Sequence, residues 1–263
     1  MATFHQAKKR FGQNFLNDES IILDIVEAIN PSPDDHLVEI GPGLGALTQQ
    51  VLCRSGQLDV IELDRDIIPK LSRLCRTLGE LRVHEADALK FDFSKLQKDN
   101  TPLKVFGNLP YNISTPLIFH LLTNAAIISE MHFMLQKEVV DRLAAVPGTK
   151  SYGKLSIMTQ YYCHVEALFD VPPEAFTPKP KVDSAIVRLI PYTRTSEQSV
   201  ANIDVLAKIV NSAFTQRRKT IRNSLSEWFK PQELEAQGLK ATERAENIDV
   251  TTFVTLAQSV EKR

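Results

Sequence analysis

The chain has 263 residues, of which 43% are hydrophobic and 24% are charged, and these values are typical of a globular protein with a substantial core. Its formal net charge of −1 argues against indiscriminate binding to nucleic acid. No apolar run approaches the roughly 20 residues that a membrane span needs, and the N-terminus lacks the apolar stretch of a signal peptide. Three widely separated cysteines and six scattered histidines follow no ligand spacing. We therefore expect a soluble cytoplasmic protein with reduced thiols and no metal site.

In chain order, strand-like and helix-like segments alternate over the first 190 residues. The hydrophobic periodicity predicts strands at residues 37–40, 58–63, 81–84, 105–107, 131–135, 164–169 and 184–190. It predicts helices at residues 21–29, 44–53, 65–78, 114–122 and 151–162. We expect Asp18 and Ser114 to cap two of these helices, and His132 to be a core histidine with satisfied hydrogen bonds. The alternation predicts a doubly wound α/β sheet of seven mostly parallel strands, with ligands at their carboxyl ends.

The composition changes after Pro191. Residues 192–199 are polar and linker-like, and only helical periodicity follows them. We therefore predict two domains, an α/β domain over residues 1–192 and a small all-α domain over residues 193–263.

The basic residues of this nearly neutral chain are concentrated in two segments that contain no acid, residues 1–17 and residues 205–226. Their cations are Lys8, Lys9, Arg10, Lys208, Arg217, Arg218, Lys219 and Arg222. Confined basic patches on a balanced protein predict a polyanion-binding face. Solvated helix faces would produce the same pattern, so each patch taken alone leaves both interpretations open.

The glycine loop at residues 41–45 and the acid Glu62, at the end of the second strand of the βαβ unit, form a nucleotide-binding pattern. Glycines let the backbone approach a ligand closely, and the acid accepts hydrogen bonds from ribose hydroxyls. The loop fits a G-x-G-x-x-A dinucleotide fingerprint that ends at Ala46. It also fits an E-x-G-x-G-x-G variant that begins at Glu39, and an acid there favours a cationic ligand such as S-adenosylmethionine. We favour the methyl donor, with the dinucleotide and a purely structural loop as alternatives.

An unusual strand ending, Asn108-Leu109-Pro110-Tyr111, follows the fourth strand. Pro110 fixes its own φ and pushes Leu109 toward extended geometry, so that backbone carbonyls can point outward. Asn108 provides a donor and an acceptor, and Tyr111 provides a flat ring. Together they are suited to a planar, amine-bearing ring, although a simple turn is the alternative. Asp87, just past the third strand, is placed to accept the exocyclic amine of an adenine ligand or to be a plain surface acid.

Four motifs in this order and spacing resemble those of the ribosomal RNA adenine N6-dimethyltransferases, in particular the bacterial small-subunit (16S) enzymes whose loss confers kasugamycin resistance. They are Arg-Phe-Gly-Gln-Asn-Phe-Leu at residues 10–16, Glu-Ile-Gly-Pro-Gly-Leu-Gly at 39–45, Asn-Leu-Pro-Tyr at 108–111 and Phe-Thr-Pro-Lys-Pro-Lys-Val-Asp-Ser at 176–184. The resemblance extends over nearly the whole chain, and no motif position departs from the family pattern.

The resemblance implies a Rossmann-like class I S-adenosylmethionine-dependent methyltransferase domain over residues 1–192 and a helical RNA-binding domain over residues 193–263. It implies that two adjacent adenines in the 3′-terminal hairpin loop of 16S rRNA are each methylated twice at N6. The substrate would be the rRNA within an immature 30S subunit, late in its assembly, and we expect a cytoplasmic monomer. The residues expected to bind the donor are Asn14, Leu16, Gly41, Gly43, Glu62, Asp87 and Asn108.

For catalysis, we expect the Asn108 side-chain oxygen and the Leu109 carbonyl to accept the two N6 hydrogens of adenine, while Tyr111 and Phe176 hold the two faces of the base. The expected catalytic residues are Asn108, Leu109, Pro110, Tyr111 and Phe176. The expected RNA-binding residues are Lys8, Lys9, Arg10, Lys179, Lys181, Arg217, Arg218, Lys219 and Arg222. Three alternatives are a sister enzyme that acts on 23S rRNA, an assembly factor with secondary methylation and, more distantly, a dinucleotide oxidoreductase.

Overall fold

The computed structural model describes residues 13–97, 100–193, 200, 202–216 and 219–262. The chain divides into two compact units, Met1–Val140 with Glu166–Pro191, and Asp141–Val165 with Tyr192–Arg263. Residues 141–165 thus group with the C-terminal unit, whereas the sequence predicted them in the first domain. The reason is that Tyr152 and its neighbours are buried in the helical core of the second unit. Among the described residues, no helix is both long and apolar enough to cross a membrane.

A seven-stranded sheet forms the centre of the first unit. The strands of the chain are β1 (Phe15–Leu16), β2 (His36–Ile40), β3 (Gln57–Glu62), β4 (Glu80–Glu85), β5 (Leu103–Asn108), β6 (Ile128–Gln136), β7 (Cys163–Val171), β8 (Phe176–Thr177) and β9 (Ser184–Pro191). The sheet order is β4-β3-β2-β5-β6-β9-β7, with the first five strands parallel and β9 antiparallel to β6. This arrangement confirms the predicted α/β class with a mostly parallel sheet. It also brings the ends of β2, β3, β4 and β5 to one edge.

The helices follow the predicted alternation, with differences at their ends. They are α1 (Glu19–Ile29), α2 (Ala46–Ser55), α3 (Ile68–Cys75), α4 (Ser114–Leu122), α5 (Lys137–Leu143), α6 (Lys154–Tyr162), α7 (Ile203–Phe214), α8 (Ile221–Ser224), α9 (Pro231–Ala236) and α10 (Val250–Glu261). The predicted cap of α1 is confirmed, because Asp18 accepts the backbone N–H of Ile21 at 3.1 Å. The predicted cap at Ser114 is wrong: Ser114 is the first residue of α4, and its hydroxyl donates to the carbonyl of Tyr111 at 3.1 Å.

His132 does not have the satisfied hydrogen bonds that the sequence suggested. It is 3% exposed in β6, and neither ring nitrogen has a hydrogen-bond partner among the described residues. Its neighbours in register are Phe106 on β5 and Arg188 on β9, neither of which accepts a hydrogen bond from an imidazole N–H. Burial lowers the pKa of His132 to about 4, so the ring is neutral at physiological pH.

Two features of the first unit were not predicted. Helix α5 follows β6 directly, where the sequence showed no clear periodicity. In addition, β1 and β8 form a small antiparallel sheet in which Phe15 lies opposite Thr177 and Leu16 opposite Phe176. Two-residue strands are too short to produce a hydrophobic alternation. This pairing joins two of the motifs, at residues 10–16 and 176–184.

The second unit is helical. Its core contains buried apolar residues of α6, α7 and α10, with Leu206 and Ile209 on α7 and Phe253 and Leu256 on α10. Within this core the Tyr152 hydroxyl donates to the Ile248 carbonyl at 2.9 Å, whereas the buried hydroxyl oxygens of Thr159 and Ser224 have no hydrogen-bond partner among the described residues. The unit therefore has a hydrophobic core of its own, as a separate domain requires.

Candidate active site

A cavity of about 270 Å³ lies in the first unit at the carboxyl ends of β2, β3, β4 and β5. This volume is near the lower end of the range for small-molecule pockets, about 300 to 1,000 Å³. Every residue that the sequence assigned to the donor lines it, as do four of the expected catalytic residues: Asn14, Leu16, Gly41, Gly43, Glu62, Asp87, Asn108, Leu109, Pro110 and Tyr111. Residues from five separate segments thus meet at the edge where a doubly wound sheet binds its ligand.

The glycine loop forms the wall between β2 and α2. Gly41 and Gly43 have φ values of 66° and 53°, in the left-handed region that favours glycine. A Cβ at Gly43 would also lie 3.3 Å from ring carbons of Phe15, on β1. The Gly41 N–H donates to the Ile61 carbonyl at 2.9 Å, which fixes the loop against the end of β3. The backbone can therefore approach a ligand here without an intervening side chain.

Glu62 ends β3 and is 7% exposed. Its Oε1 accepts the backbone N–H of Asp64 at 2.7 Å, and further backbone hydrogen bonds come from Gly43 and Leu63. Burial raises the pKa of Glu62 despite these hydrogen bonds, which lower it. Because a carboxylate has about four lone-pair sites, Glu62 still has capacity to accept hydrogen bonds from the hydroxyls of a ligand.

Glu39 is a second acid in the cavity wall, 2% exposed and located two residues before the glycine loop. Its Oε2 accepts a hydrogen bond from the Thr48 hydroxyl, on α2, at 2.6 Å. Burial raises the pKa of Glu39 to about 8, although the Thr48 hydrogen bond opposes the shift. The carboxyl group is thus mainly protonated at neutral pH, and a positive charge nearby would favour its ionised form.

The side-chain amide of Asn108 has a defined orientation. Its Nδ2 donates to the backbone carbonyl of Asn14 at 3.0 Å. Because a carbonyl oxygen can only accept, the amide nitrogen must face Asn14, and Oδ1 then points away from it as an acceptor. The next residue is anchored as well, since the Leu109 N–H donates to the Met134 carbonyl at 3.2 Å. The N-terminal motif thereby determines how the Asn108 amide is presented.

Tyr111 lines the cavity with a half-buried side chain. Its hydroxyl lies 2.7 Å from the Ser184 Oγ, at the first residue of β9. Burial raises the pKa of Tyr111, so the phenol remains protonated at neutral pH. The ring of Tyr111 is thus held at its far end by a residue of the fourth motif.

Phe176 is not among the residues that line the cavity. It is 3% exposed and packs in the core of the first unit, opposite Leu16 of β1. The structure therefore does not bring Phe176 and Tyr111 to two sides of one space. A role of Phe176 in stacking on a base stays a prediction, whereas its pairing beside β1 and its burial in the core are observed.

The cavity includes residues that the sequence analysis did not assign. Thr48 and Ser184 do not line the cavity, but their fully buried hydroxyls contact the lining residues Glu39 and Tyr111. In the sequence, Ser184 was visible as the last residue of the fourth motif and the first residue of the seventh predicted strand. Leu63 lines the wall next to Glu62 with 50% of its surface exposed. Its position directly after the acid was the signal available in the sequence.

The expected RNA-binding residues lie in different parts of the molecule. In the first unit, Lys181 is exposed, and Lys179 is exposed and forms an ion pair with Glu174. In the second unit, Lys219 and Arg222 are exposed at the start of α8. Five others lie outside the described residues: Lys8, Lys9, Arg10, Arg217 and Arg218.

Comparison with known proteins identifies the protein family of this chain. The family model of the ribosomal RNA adenine dimethylases matches residues 4–262. The chain belongs to this family. A dimethylase of this kind is an S-adenosylmethionine-dependent methyltransferase, which resolves the ambiguity of the glycine loop in favour of the methyl donor.

Relatives in the family are similar over nearly their full length. "Ribosomal RNA small subunit methyltransferase A" of Saccharophagus degradans is 56% identical, over 97% of this chain and 95% of the relative. The protein of the same name from Pseudomonas syringae pv. syringae is 54% identical, over 98% and 96%. Among solved structures, a dimethyladenosine transferase from Plasmodium falciparum has a TM-score of 0.81 at 27% identity, covering 94% of this chain and 98% of the other.

The 23S rRNA methyltransferase ErmE is also similar in structure. Its TM-score is 0.73 at 25% identity, and the match covers 94% of this chain and 100% of ErmE. The fold of the dimethylase is therefore common to enzymes whose names specify different ribosomal RNAs.

The residues of the cavity fit S-adenosylmethionine. The glycine loop allows close backbone approach, Glu62 and Asp87 provide acceptors for ribose hydroxyls and an exocyclic amine, and Leu63 provides an apolar surface. Glu39 lies beneath the loop, where its ionised form would compensate a cation. The set of side chains thus matches a ligand that combines a nucleoside with positive charge.

Proposed function

We propose that the protein transfers methyl groups from S-adenosylmethionine to N6 of two adjacent adenines in the 3′-terminal hairpin loop of 16S rRNA, giving N6,N6-dimethyladenosine at both. The names of its relatives support a small-subunit substrate, because the Saccharophagus degradans protein is 56% identical. The 23S enzyme ErmE is 25% identical, which supports the alternative substrate much less. The substrate would be rRNA within an immature 30S subunit.

The orientation of the Asn108 amide is the observation on which this proposal mainly depends. With Nδ2 bonded to Asn14, the Oδ1 atom is the acceptor that remains for a ligand. An acceptor at the end of β5, next to a tyrosine ring, is suited to the exocyclic amine of a flat base. A dinucleotide oxidoreductase gives no reason for this combination.

The main role of the chain in this reaction is to position N6 of the adenine for methyl transfer. Adenine N6 is a poor nucleophile because its lone pair is delocalised into the ring. Asn108 Oδ1 and the Leu109 carbonyl accept the two N6 hydrogens, which favours a pyramidal nitrogen and orients it in the transition state. Tyr111 stacks on the base, and its π face favours the positive charge that develops on N6. S-adenosylmethionine, when bound, supplies a methyl group on a positively charged sulfur. The methylated nitrogen is acidic enough to lose its proton to water, so no strong general base is needed.

The second unit would contribute to RNA binding. Lys219 and Arg222 are exposed on the second unit, and Lys179 and Lys181 are exposed on the first unit. Phosphate contacts of this kind give affinity with a strong dependence on salt. We propose that the protein acts as a monomer in the cytoplasm, where immature 30S subunits are found.

The proposal is tested with 30S subunits from cells that lack this protein. Purified protein and labelled S-adenosylmethionine should methylate these subunits, and primer extension should then stop at two adjacent adenines near the 3′ end of 16S rRNA. Subunits from normal cells and 50S subunits are the negative controls. Methylation of 50S subunits instead would favour the 23S alternative, and absence of any transfer would contradict the proposal.

The role of Asn108 is tested by Asn108→Ala. Loss of one preorganised polar group at a reacting centre costs about 100-fold in rate, and we expect a loss of at least this size with folding retained. Asn124→Ala is a matched control, because Asn124 donates to the His120 carbonyl at the other end of α4. Full methylation by Asn108→Ala would show that the amide is not catalytic.

A further inference from the structure

The hydrogen bond between Tyr111 and Ser184 joins the cavity to β9, which runs antiparallel to β6. The two oxygens are 2.7 Å apart, and Ser184 is fully buried. Ser184 lies opposite Gln136 in the β6–β9 pair, and the preceding residue, Asp183, accepts the backbone N–H of Lys137 at 2.9 Å. The serine hydroxyl is therefore presented by backbone that is fixed on both sides.

The backbone at Tyr111 is held by separate hydrogen bonds. Its carbonyl accepts the Ser114 hydroxyl at 3.1 Å, and the Ile113 N–H donates to the Pro110 carbonyl at 3.1 Å. These bonds hold the backbone of the turn but leave the side chain free to rotate. The bond to Ser184 restrains the far end of the ring, and with it the plane that the ring presents to the cavity.

We propose that Ser184 is a positioning residue for Tyr111, and that their hydrogen bond is needed chiefly for the second methyl transfer to each adenine. The inference rests on the proposed function, since it assigns a step of that reaction to a residue that does not line the cavity.

The two transfers make different demands on the stacking ring. In each one, the N6 lone pair forms the new N–C bond, the S–C bond breaks with its electron pair left on sulfur, and one N6 proton passes to water. The first base enters with two N6 hydrogens, which Asn108 and the Leu109 carbonyl can both accept. The monomethylated base has one N6 hydrogen left. Its orientation therefore depends more on the plane of Tyr111 and less on hydrogen bonds.

A cycle of Ser184→Ala, Tyr111→Phe and the double variant tests this inference. Methyl-deficient 30S subunits are treated under single-turnover conditions, and N6-monomethyl- and N6,N6-dimethyladenosine are quantified by mass spectrometry after digestion. We expect each single variant to slow the second transfer by about tenfold, the factor that one net hydrogen bond gives when its effect is on the transition state. The first transfer should slow less, so that monomethyladenosine accumulates.

The double variant should be no slower than either single variant, because both substitutions remove the same bond. Ser129→Ala is the matched control: the Ser129 hydroxyl donates to the Leu103 carbonyl at 3.1 Å, at the start of β6. A purely structural loss would reduce the amount of active protein and slow both transfers equally, leaving the ratio of mono- to dimethyladenosine unchanged when it is compared at equal conversion of the adenines. If Ser184→Ala fails to fold, Tyr111→Phe alone decides, because it removes the same bond and leaves β9 intact.

An unchanged product ratio in both single variants, with normal activity in the wild type, would overturn the role of Ser184 and leave the proposed function standing. Additive losses in the double variant would also overturn it. A wild-type protein that methylates no 16S rRNA would instead contradict the proposed function itself.

Discussion

Glu39 makes the stability of the protein dependent on pH. Its pKa is about 8 in the folded state, above the value of 4.5 for an unperturbed carboxyl, so the folded state binds more protons than the unfolded state between these values. Stability contributed by this group is therefore greatest below pH 4.5 and falls as the pH rises toward 8. Glu39→Gln keeps an acceptor for Thr48 but does not ionise.

We expect the free energy of unfolding of the wild type to fall relative to Glu39→Gln by up to about 1.4 kcal/mol for each pH unit in this window. Denaturant titrations at pH 5, 6, 7 and 8 measure the difference. Groups that do not interact with Glu39 affect both proteins alike, so the difference between the two curves reports Glu39 together with its repulsion from Glu62. Parallel curves would mean that Glu39 is ionised in the folded state.

Gly107 shows a steric constraint just before the turn at residues 108–111. A Cβ at this position would lie 2.3 Å from the Ile40 carbonyl oxygen, which belongs to the backbone of β2. Gly107→Ala should therefore push β2 and β5 apart, and we expect a loss of about 3 kcal/mol, at the upper end of the range for overpacking. Thermal or denaturant unfolding measures this loss.

Gly56→Ala is the comparison for Gly107. Gly56 has a φ of 75°, and nothing lies within 4 Å of a Cβ built there. That variant should lose only the penalty of the left-handed conformation, about 1 to 2 kcal/mol. Equal losses in the two variants would show that β2 and β5 adjust to a methyl group without strain.

At the scale of elements, the β1–β8 pair connects the N-terminal motif to the cavity. The Asn17 N–H donates to the Ala175 carbonyl at 2.9 Å, and its Nδ2 donates to the Thr177 hydroxyl at 2.6 Å. This pairing holds the segment whose Asn14 carbonyl orients Asn108. The position of the Asn108 amide therefore depends on a contact outside the cavity.

Asn17→Ala should loosen this segment. We expect S-adenosylmethionine to bind about fivefold more weakly, the effect of one net hydrogen bond of about 1 kcal/mol, and the methylation rate to fall as well. Calorimetry and single-turnover methylation measure the two effects, with Asn124→Ala as the control. Unchanged donor affinity and rate would indicate that β1 stays in place without the Asn17 side chain.

The sequence predicted the elements whose hydrophobic residues recur at a regular spacing, and it missed the elements that have no such repeat. The strands of the parallel sheet have apolar runs, and their ends place Glu62, Asp87 and Asn108 together because parallel strands end at one edge. The pairing of Leu16 with Phe176 was not predictable, since contacts between two-residue strands leave no periodic pattern. Phe176 was expected to face the base, but it lies on β8 beside β1 and packs in the core of the first unit.

At the scale of the whole molecule, the two units allow donor binding and RNA binding to be tested separately. Lys219 and Arg222 belong to the second unit and the cavity to the first. Replacing both cations by Gln should reduce the slope of log affinity for RNA against log salt by about two, one for each phosphate contact.

Donor affinity should stay unchanged in this double variant, because no residue of the cavity is altered. Filter binding with a 16S rRNA fragment over a range of salt concentrations measures the slope. Lys230→Gln is the control, at an exposed cation that precedes α9. An unchanged slope would assign RNA binding to other residues.

The division into units was only partly predictable from composition. The linker after Pro191 signalled the second domain, but nothing marked residues 141–165 as a part of it. These residues comprise the end of α5, a loop, α6 and the start of β7, and their packing around Tyr152 assigns them to the second unit. The local hydrophobic pattern predicts the helices and strands. Which elements a helix packs against depends on contacts between residues that are distant in the chain.

The reversed direction of β9 has a consequence for how such an enzyme can diversify. Because β9 runs against β6, its first residue lies at the edge where the parallel strands end, and the loop before it lies at the same edge. That loop contains β8, whose pairing with β1 holds the segment whose Asn14 carbonyl orients Asn108, so only its residues outside β8 can change without altering this contact. We therefore expect a change of RNA substrate to arise through the residues of this loop outside β8, with the β1–β8 pair and the proposed donor site retained.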